Sequence, residues 1–196
     1  MKRHDYDRAW QELHDATAEE GKDYLIYHKE RHWEIFSVLA PYLAHIDDPK
    51  VLEVGISSFV CLYGKLFPKV RLTTVDRPIE MFGVSQETAM NEWGAECHYN
   101  VNLNSCGLNP SFGNPPIGHH DLIVFCEVLE HLPVSATQLI MELLSLLKPE
   151  GLLYITTPNF FAYDRIRELW IERTLKSISC LVGAINGLLL ISENIR

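Results

Sequence analysis

Short apolar runs that end in polar residues recur along the chain, and segments with helical spacing separate most of them. Five of these runs are predicted strands, at 51–55, 70–76, 96–103, 122–126 and 152–156. The run within 121–133 is especially informative, because two carboxylates and an imidazole follow directly after its apolar residues. The pattern predicts an α/β fold with a parallel sheet, in which ligands bind beyond the carboxyl ends of the strands.

The segments between these runs have the spacing of helices. The first thirty residues are polar with widely spaced apolar anchors, which predicts one or two leading helices. Apolar residues at helical spacing continue to residue 43, and Pro41 is expected to kink or shorten that helix. Further helices are predicted at 61–67, 85–93, 135–147 and 165–176. The chain is thus divided into an N-terminal helical segment 1–48, a sheet-forming core 49–160 and a C-terminal helix with an apolar tail 161–196.

The apolar tail is the most unusual segment by composition. Residues 178–191 are almost uninterruptedly apolar and contain Gly183 and Gly187, but the run is shorter than the ~20 residues that a membrane-spanning helix needs. We therefore expect no membrane span and predict that this segment is buried or forms an interface, with a homodimer as one outcome. It leaves room for at most one further strand, at 187–192.

The composition narrows the class of partner. The net charge is −9, with 26 acidic and 17 basic residues, which disfavours nucleic acid as a partner. The five cysteines are scattered, which indicates buried free thiols rather than disulfides or a zinc site. His119 and His120 have no acidic or thiol partner at ligand spacing, so exposed loop histidines are expected and no metal. The residues after Met1 do not form a signal peptide, so the cytoplasm is the expected location.

Acidic residues at two predicted strand ends point to a nucleoside ligand. The first strand ends in Glu53 and Gly55, and Asp76 ends the second strand 21 residues after Gly55. A carboxylate at this place and spacing commonly accepts hydrogen bonds from ribose hydroxyls. A single glycine is weak support, because a turn glycine before a helix would look the same. A nicotinamide-dependent oxidoreductase is disfavoured, since two of the three glycines of Gly-x-Gly-x-x-Gly are missing.

The strand ends also resemble a known family. The sequences Val-Leu-Glu-Val-Gly (51–55), Thr-Thr-Val-Asp (73–76), Asp-Leu-Ile-Val-Phe-Cys-Glu-Val-Leu-Glu-His-Leu (121–132) and Leu-Lys-Pro-Glu-Gly-Leu-Leu-Tyr-Ile-Thr-Thr-Pro-Asn (147–159) resemble the class I S-adenosylmethionine-dependent methyltransferases, in particular their small-molecule, type 11-like branch. The resemblance covers residues 50 to about 160. It implies a doubly wound, mostly parallel, Rossmann-like sheet flanked by helices. The family's final antiparallel hairpin is doubtful here, because only 37 residues follow Asn159.

The resemblance assigns roles to individual residues. It implies that Glu53 holds the methionine amino group of S-adenosylmethionine and that Gly55 lets the backbone approach the cofactor. Ser57 lies in the same loop, and Asp76 matches the ribose-binding acid. The position of Asn102 matches an acid that contacts the adenine amine, and an amide oxygen can still accept there.

The fourth strand supplies the remaining predicted site residues. Cys126 and Glu127 match the strand end that runs beside the methionine moiety. Glu130 and His131 match a Glu-His pair at the start of the next helix, and His131 is the candidate general base if the acceptor is a hydroxyl. The alternative for His131 is a purely structural residue at a helix N-terminus.

The glycine loop departs from the family pattern. Ser57 and Phe59 stand where the second and third glycines belong, and a phenylalanine adds bulk where the backbone packs closely. Two functions therefore remain open. The first is a methyltransferase that transfers a methyl group to a small-molecule acceptor by in-line displacement. The alternative is a catalytically inactive methyltransferase-like domain that acts as a binding or assembly module.

Overall fold

The computed structural model describes residues 1–79, 83–105, 115–133, 135–158 and 188–194. Its helices are α1 (Arg3–Ala16), α2 (Glu19–Leu43), α3 (Cys61–Leu66) and α4 (Ala136–Leu146). Its strands are β1 (Lys50–Val54), β2 (Arg71–Asp76), β3 (Cys97–Asn100), β4 (His120–Cys126), β5 (Leu147–Pro158) and β6 (Leu188–Asn194). Short 3-10 turns lie at Ser58–Val60, Leu103–Ser105 and Leu129–His131, and a π-helical turn lies at Thr88–Glu92.

The six strands form one sheet in the order β3-β2-β1-β4-β5-β6, and every neighbouring pair is parallel. The chain moves outward from β1 in one direction to β2 and β3, then crosses to β4 on the other side of β1. Ligands of such sheets bind outside the carboxyl ends of the strands at this change of direction. The predicted doubly wound α/β fold is thus confirmed, and its candidate site lies beyond the ends of β1 and β4.

Each face of the sheet is covered by helices, as the continuous apolar runs of the strands require. Val51, Val124 and Tyr154 point to the face that packs against α1, α2 and α3. Their neighbours Leu52 and Ile123 point to the opposite face, against α4. This alternation follows from the two-residue period of a strand, so it also sets which face each site residue joins.

Most predicted elements are confirmed, with shifted ends. Pro41 lies in the last turn of α2, and the helix ends two residues later, as expected of a shortened helix. β5 begins at Leu147, five residues earlier than predicted. Its pairing with β4 is irregular between His120 and Leu122, where β5 contains extra residues, among them Glu150 with a left-handed backbone (φ 67°). β3 is shorter than predicted and ends at Asn100.

The C-terminal tail contributes the sixth strand, close to the one predicted at 187–192. β6 pairs in parallel with β5 from Leu188 opposite Leu152 to Asn194 opposite Pro158. The described residues contain no antiparallel pair of strands. The predicted helix at 165–176 and the apolar residues 178–187 lie outside the described residues. Among the described helices, none has the length and apolar character needed to cross a bilayer.

Candidate functional site

The carboxyl edge of the sheet brings the predicted site residues from three strands together. Glu53 belongs to β1 and Asp76 to β2, while Cys126 and Glu127 stand at the end of β4. In the register of the sheet, Val54 of β1 lies beside Val75 of β2 and Phe125 of β4. These polar residues therefore stand at the carboxyl edge beside the strand crossover, which is where ligands of such sheets bind.

Gly55 turns the chain at the end of β1. It has a positive φ of 78°, and its N–H donates to the Val75 carbonyl over 2.9 Å. A Cβ at this position would lie 2.1 Å from Cγ2 of Val128, which is closer than any real contact. Glycine is therefore required here by backbone conformation and by the close approach of Val128, irrespective of a ligand.

The Phe59 side chain is buried in the core beside α2. Ser57 is extended and precedes the 3-10 turn that carries Phe59. The Phe59 side chain is only 1% exposed and stacks on the His32 ring of α2, with ring centroids 3.5 Å apart. It also belongs to the core cluster that contains Phe36. The substitution of the third glycine is accommodated in the core between α2 and the sheet.

Glu53 is a carboxylate in an unfavourable environment for charge. Burial raises its pKa from 4.5 to about 7, and an interaction with the Tyr63 hydroxyl opposes this rise. Burial also raises the pKa of the neighbouring Cys126 thiol to about 12. Cys126 is therefore a neutral thiol at physiological pH and is unsuited to act as a nucleophile. A bound cation would favour the ionised form of Glu53.

Asp76 ends β2 with part of its carboxylate already engaged. Its Oδ2 accepts a hydrogen bond of 2.8 Å from the backbone N–H of Val84. Asn102, the predicted adenine contact, lies two residues beyond β3, and its Oδ1 accepts from the Asn104 N–H over 3.1 Å. Asn102 thus caps a turn at the same edge of the sheet, and its contact with adenine stays a prediction.

Glu127 connects three elements at the carboxyl edge. One carboxylate oxygen accepts from Arg31 of α2 over 3.2 Å, and the other accepts from the Thr156 hydroxyl of β5 over 3.0 Å. Glu127 has a left-handed backbone with φ 57°, which is costly for a residue other than glycine. Neither partner was predicted from the sequence: Arg31 lies outside the motifs and 96 residues from Glu127, and the resemblance assigns no role to Thr156 within its motif.

Glu130 and His131 lie on a 3-10 turn rather than at the start of the next helix, so that prediction was wrong. Helix α4 begins only at Ala136, where the Ser135 hydroxyl accepts from Gln138 N–H as an N-cap. The His131 side chain is 76% exposed, whereas that of Glu130 is 8% exposed. Burial is the main cause that raises the Glu130 pKa, and its Oε2 has no hydrogen-bond partner in the described part of the chain.

The remaining histidine and cysteine predictions have mixed outcomes. His120 is fully buried at the start of β4, with Nδ1 3.3 Å from the Leu146 carbonyl, so its prediction as an exposed loop histidine was wrong. Cys61, Cys97 and Cys126 are free and partly buried; Cys106 and Cys180 lie outside the described residues. Within the described ranges, no group of three or more His, Cys, Asp or Glu side chains could hold a metal ion.

Comparison with known proteins gives matches of structure only. No family model and no curated protein matches the sequence. The N-methyltransferase NodS from Bradyrhizobium japonicum WM9 superposes with a TM-score of 0.52 at 18% identity, over 78% of this chain and 81% of that one. A protein from Burkholderia multivorans assigned as a short-chain alcohol dehydrogenase gives a TM-score of 0.50 at 9% identity, over 73% and 81%.

A third solved structure matches this chain over a smaller share of its own length. Coclaurine N-methyltransferase, with N-methylheliamine and S-adenosylhomocysteine bound, gives a TM-score of 0.47 at 14% identity over 65% of this chain. The chain spans 36% of that protein's length. At these identities the matches describe architecture and not activity. The two matches with TM-scores of 0.50 and 0.52 confirm the fold that the resemblance implies, a Rossmann-like α/β sheet shared by a methyltransferase and a dehydrogenase.

Proposed function

We propose that this chain is an S-adenosylmethionine-dependent methyltransferase that transfers a methyl group to a small-molecule acceptor by in-line displacement. One observation carries the proposal. Glu53, Asp76 and the Cys126–Glu127 strand end stand at the carboxyl ends of three neighbouring strands beside the crossover, while the Phe59 ring packs in the core against His32. The residues that the resemblance assigns to the cofactor thus meet at one edge.

The acidic residues at the carboxyl edge fit a cofactor that has a cationic group at one end and a nucleoside at the other. The Glu53 carboxylate, raised in pKa by burial, would be stabilised in its charged form by an ammonium group. The Asp76 carboxylate would accept from ribose hydroxyls, as such strand-end acids commonly do. We assign Gly55 and Ser57 to the cofactor loop and Asn102 to the adenine.

The chemistry asks little of the protein beyond alignment. S-adenosylmethionine supplies a methyl group already activated by its sulfonium charge. The strand end at Cys126 and Glu127 would border the path between acceptor and methyl, where positioning provides most of the rate enhancement. His131 would accept the proton of a hydroxyl acceptor, and its exposed ring stands beside Glu130 with Nε2 3.7 Å from Oε1.

One observation favours the alternative of an inactive binding or assembly module. The Val128 side chain packs directly on Gly55, at the place where the resemblance implies a close approach of the cofactor. Calorimetric titration of the purified chain with S-adenosylmethionine and S-adenosylhomocysteine distinguishes the two. Micromolar binding supports the methyltransferase, whereas millimolar or undetectable binding of both compounds supports the module.

The first prediction concerns Asp76, the carboxylate proposed to bind the ribose. Asp76→Ala should weaken S-adenosylhomocysteine binding by about 1.5–3 kcal/mol, because hydrogen bonds to a charged carboxylate commonly contribute that much. Calorimetry provides the measurement. The matched control is Asp47→Ala, at an aspartate that is 92% exposed and precedes β1 at the other end of the sheet, where no change in affinity is expected. An unchanged affinity of Asp76→Ala would remove this residue from the site.

Two further expectations belong to the proposal. The first is a cytoplasmic location, which is expected from the sequence alone. A homodimer through the apolar tail concerns mainly residues 178–187, because Leu188 to Ile191 already pair with β5 of the same chain. Size-exclusion chromatography over a range of concentrations would test the homodimer, and a strictly monomeric species would argue against it.

A further inference from the structure

His98 is a buried histidine of β3 for which the proposed mechanism has no role. Its side chain lies at the β2–β3 pair, where Thr74 is its neighbour in the register. Only 6% of the residue is exposed. Burial lowers its pKa, so the ring is neutral at physiological pH. A buried neutral histidine needs a hydrogen-bond partner for each of its two ring nitrogens.

Both nitrogens of His98 have such partners. Nε2 lies 3.1 Å from the Val84 carbonyl, and because a carbonyl only accepts, Nε2 carries the proton and donates it. Nδ1 is then the acceptor and lies 2.8 Å from the Thr74 hydroxyl, which donates. The ring is therefore fixed in one tautomer and one orientation, and it joins strand β2 to Val84.

Val84 in turn holds the ribose acid. Its N–H donates to Oδ2 of Asp76 over 2.8 Å, while its carbonyl accepts from His98. Asn100 adds a second donor to that carbonyl through Nδ2 at 3.0 Å, and the same amide lies 3.0 Å from the Arg77 carbonyl. The side chains of β2 and β3 thus converge on one residue, and that residue directs its N–H at one oxygen of the Asp76 carboxylate.

We infer that His98 is a positioning residue for ribose recognition, which acts on Asp76 through Val84. The inference rests on the proposed function, in which Asp76 binds the ribose. Fixing Oδ2 on the Val84 N–H orients Oδ1 before a ligand arrives, and an oriented carboxylate loses less conformational freedom on binding. Ligands with ribose hydroxyls should therefore depend on His98, and ligands without them should not.

Two substitutions separate this role from a general structural one. His98→Leu removes both ring hydrogen bonds, whereas His98→Gln retains an amide N–H that can donate to the Val84 carbonyl. Binding of S-adenosylhomocysteine and of its 2′,3′-dideoxyribose analogue is measured by calorimetry for each variant. His98→Leu should weaken binding of the first compound roughly tenfold and change the second less than about twofold, since only the first presents hydroxyls to Asp76. His98→Gln should recover most of the loss.

A double-mutant cycle tests the route through Asp76. In the Asp76→Ala background, His98→Leu should have no further effect on binding, because the group that it positions is absent. Asn100→Ala serves as a second variant if His98→Leu does not fold. Asn100 is exposed at the end of β3, so its removal should preserve the fold and produce a smaller, selective loss for S-adenosylhomocysteine.

His120→Leu is the matched control for burial. His120 is also a buried histidine with a backbone contact, but it lies at the opposite end of the sheet. Its replacement should lower the thermal stability without changing the ratio of the two affinities. An equal loss of affinity for both ligands in His98→Leu, or additive losses of affinity in the double variant, would overturn the role of His98 but leave the proposed function intact. Failure of the wild-type chain to bind S-adenosylhomocysteine would overturn the proposed function and the inference with it.

Discussion

Glu53 is a carboxylic acid of the candidate site whose buried environment opposes its charge. Its pKa is raised to about 7 from 4.5, so the folded protein binds the carboxyl proton more tightly than the unfolded chain. The stability from this proton is fully present below pH 4.5 and is lost as the pH rises through 7. A strand-end acid that destabilises the free protein is typical of groups retained for function.

Glu53→Gln should therefore stabilise the protein in a pH-dependent way. At pH 8 the variant should exceed the wild type in free energy of unfolding by roughly 1–3 kcal/mol, because no charge is buried. At about pH 5, where the wild-type carboxyl is mostly protonated in the folded state, the two should be similar. Urea unfolding at both pH values provides the measurement. The same difference at both would contradict the assigned pKa.

Ligand binding gives a second readout for the same variant. If Glu53 holds an ammonium group, the affinity of wild type for S-adenosylhomocysteine should rise between pH 6 and pH 7.5, because the ionised carboxylate is the binding form. Glu53→Gln should bind more weakly and lose this rise. A pH-independent wild-type affinity would remove the ammonium contact while leaving the stability prediction intact.

At the scale of elements, the contact of Glu127 with Arg31 and Thr156 joins α2 to two strands at the site. The side chains of Arg31 and Glu127 are 22% and 16% exposed, so the ion pair is better shielded from solvent than a surface pair. Arg31 Nε has no partner among the described residues, which makes the remaining bond to Glu127 more important. This pair therefore connects α2 to the carboxyl edge in addition to the apolar packing of the helix.

Glu127→Gln tests that connection. The amide oxygen can still accept from Thr156, but the Arg31 charge loses its counterion, so the free energy of unfolding should fall by about 1–2 kcal/mol. Chemical denaturation provides the measurement. The matched control is Asp47→Asn in the exposed Lys69–Asp47 pair, which should change the stability by less than about 0.5 kcal/mol. Equal effects of the two substitutions would show that the Arg31–Glu127 pair has no special role.

The elements were largely predictable because their signals are local. The buried run Leu122–Cys126 and the apolar stripe of the helix predicted at 135–147 are recognisable from adjacent residues alone. The early start of β5 was not, because the left-handed Glu150 that admits the irregularity has no sequence signal. His120 was misassigned for a similar reason, since its burial depends on β5 pairing beside it.

Only those site residues that lie at strand ends could be predicted from the sequence. Asp76 and Glu127 stand at the ends of strands, and parallel strands place such residues at one edge. Their partners could not be inferred. Val84 contacts Asp76 through its backbone, which has no residue-type signature, and Arg31 reaches Glu127 from a helix whose many charges look alike in sequence. Side-chain partners across long chain separations require the fold.

At the scale of the whole molecule, the sheet has an edge at each end, and β6 forms one of them. All seven residues of β6 pair with β5 and so cover Leu152–Pro158, which is seven of the twelve residues of β5 and would otherwise present unpaired backbone groups. Long uncovered edges favour association with other chains. The sixth strand therefore protects the part of β5 that ends at Pro158.

Removal of β6 by truncation should show how far the stability of the sheet depends on this strand. A chain ending at residue 187 lacks β6, so it should lose more than about 2 kcal/mol of stability and associate, because the β5 edge has lost its backbone partners. Light scattering coupled to size-exclusion chromatography and urea unfolding provide the measurements. A chain ending at Asn194 keeps the strand and should match the full-length protein. A shortened chain that stays monomeric and equally stable would contradict the role of β6.

The packing of Phe59 on His32 makes the loop after β1 and helix α2 mutually dependent. Replacement of Phe59 by glycine would leave His32 facing a void, and loss of His32 would leave the Phe59 ring without its stacking partner. The two positions are therefore expected to tolerate change only together, whatever the neighbouring strand ends bind.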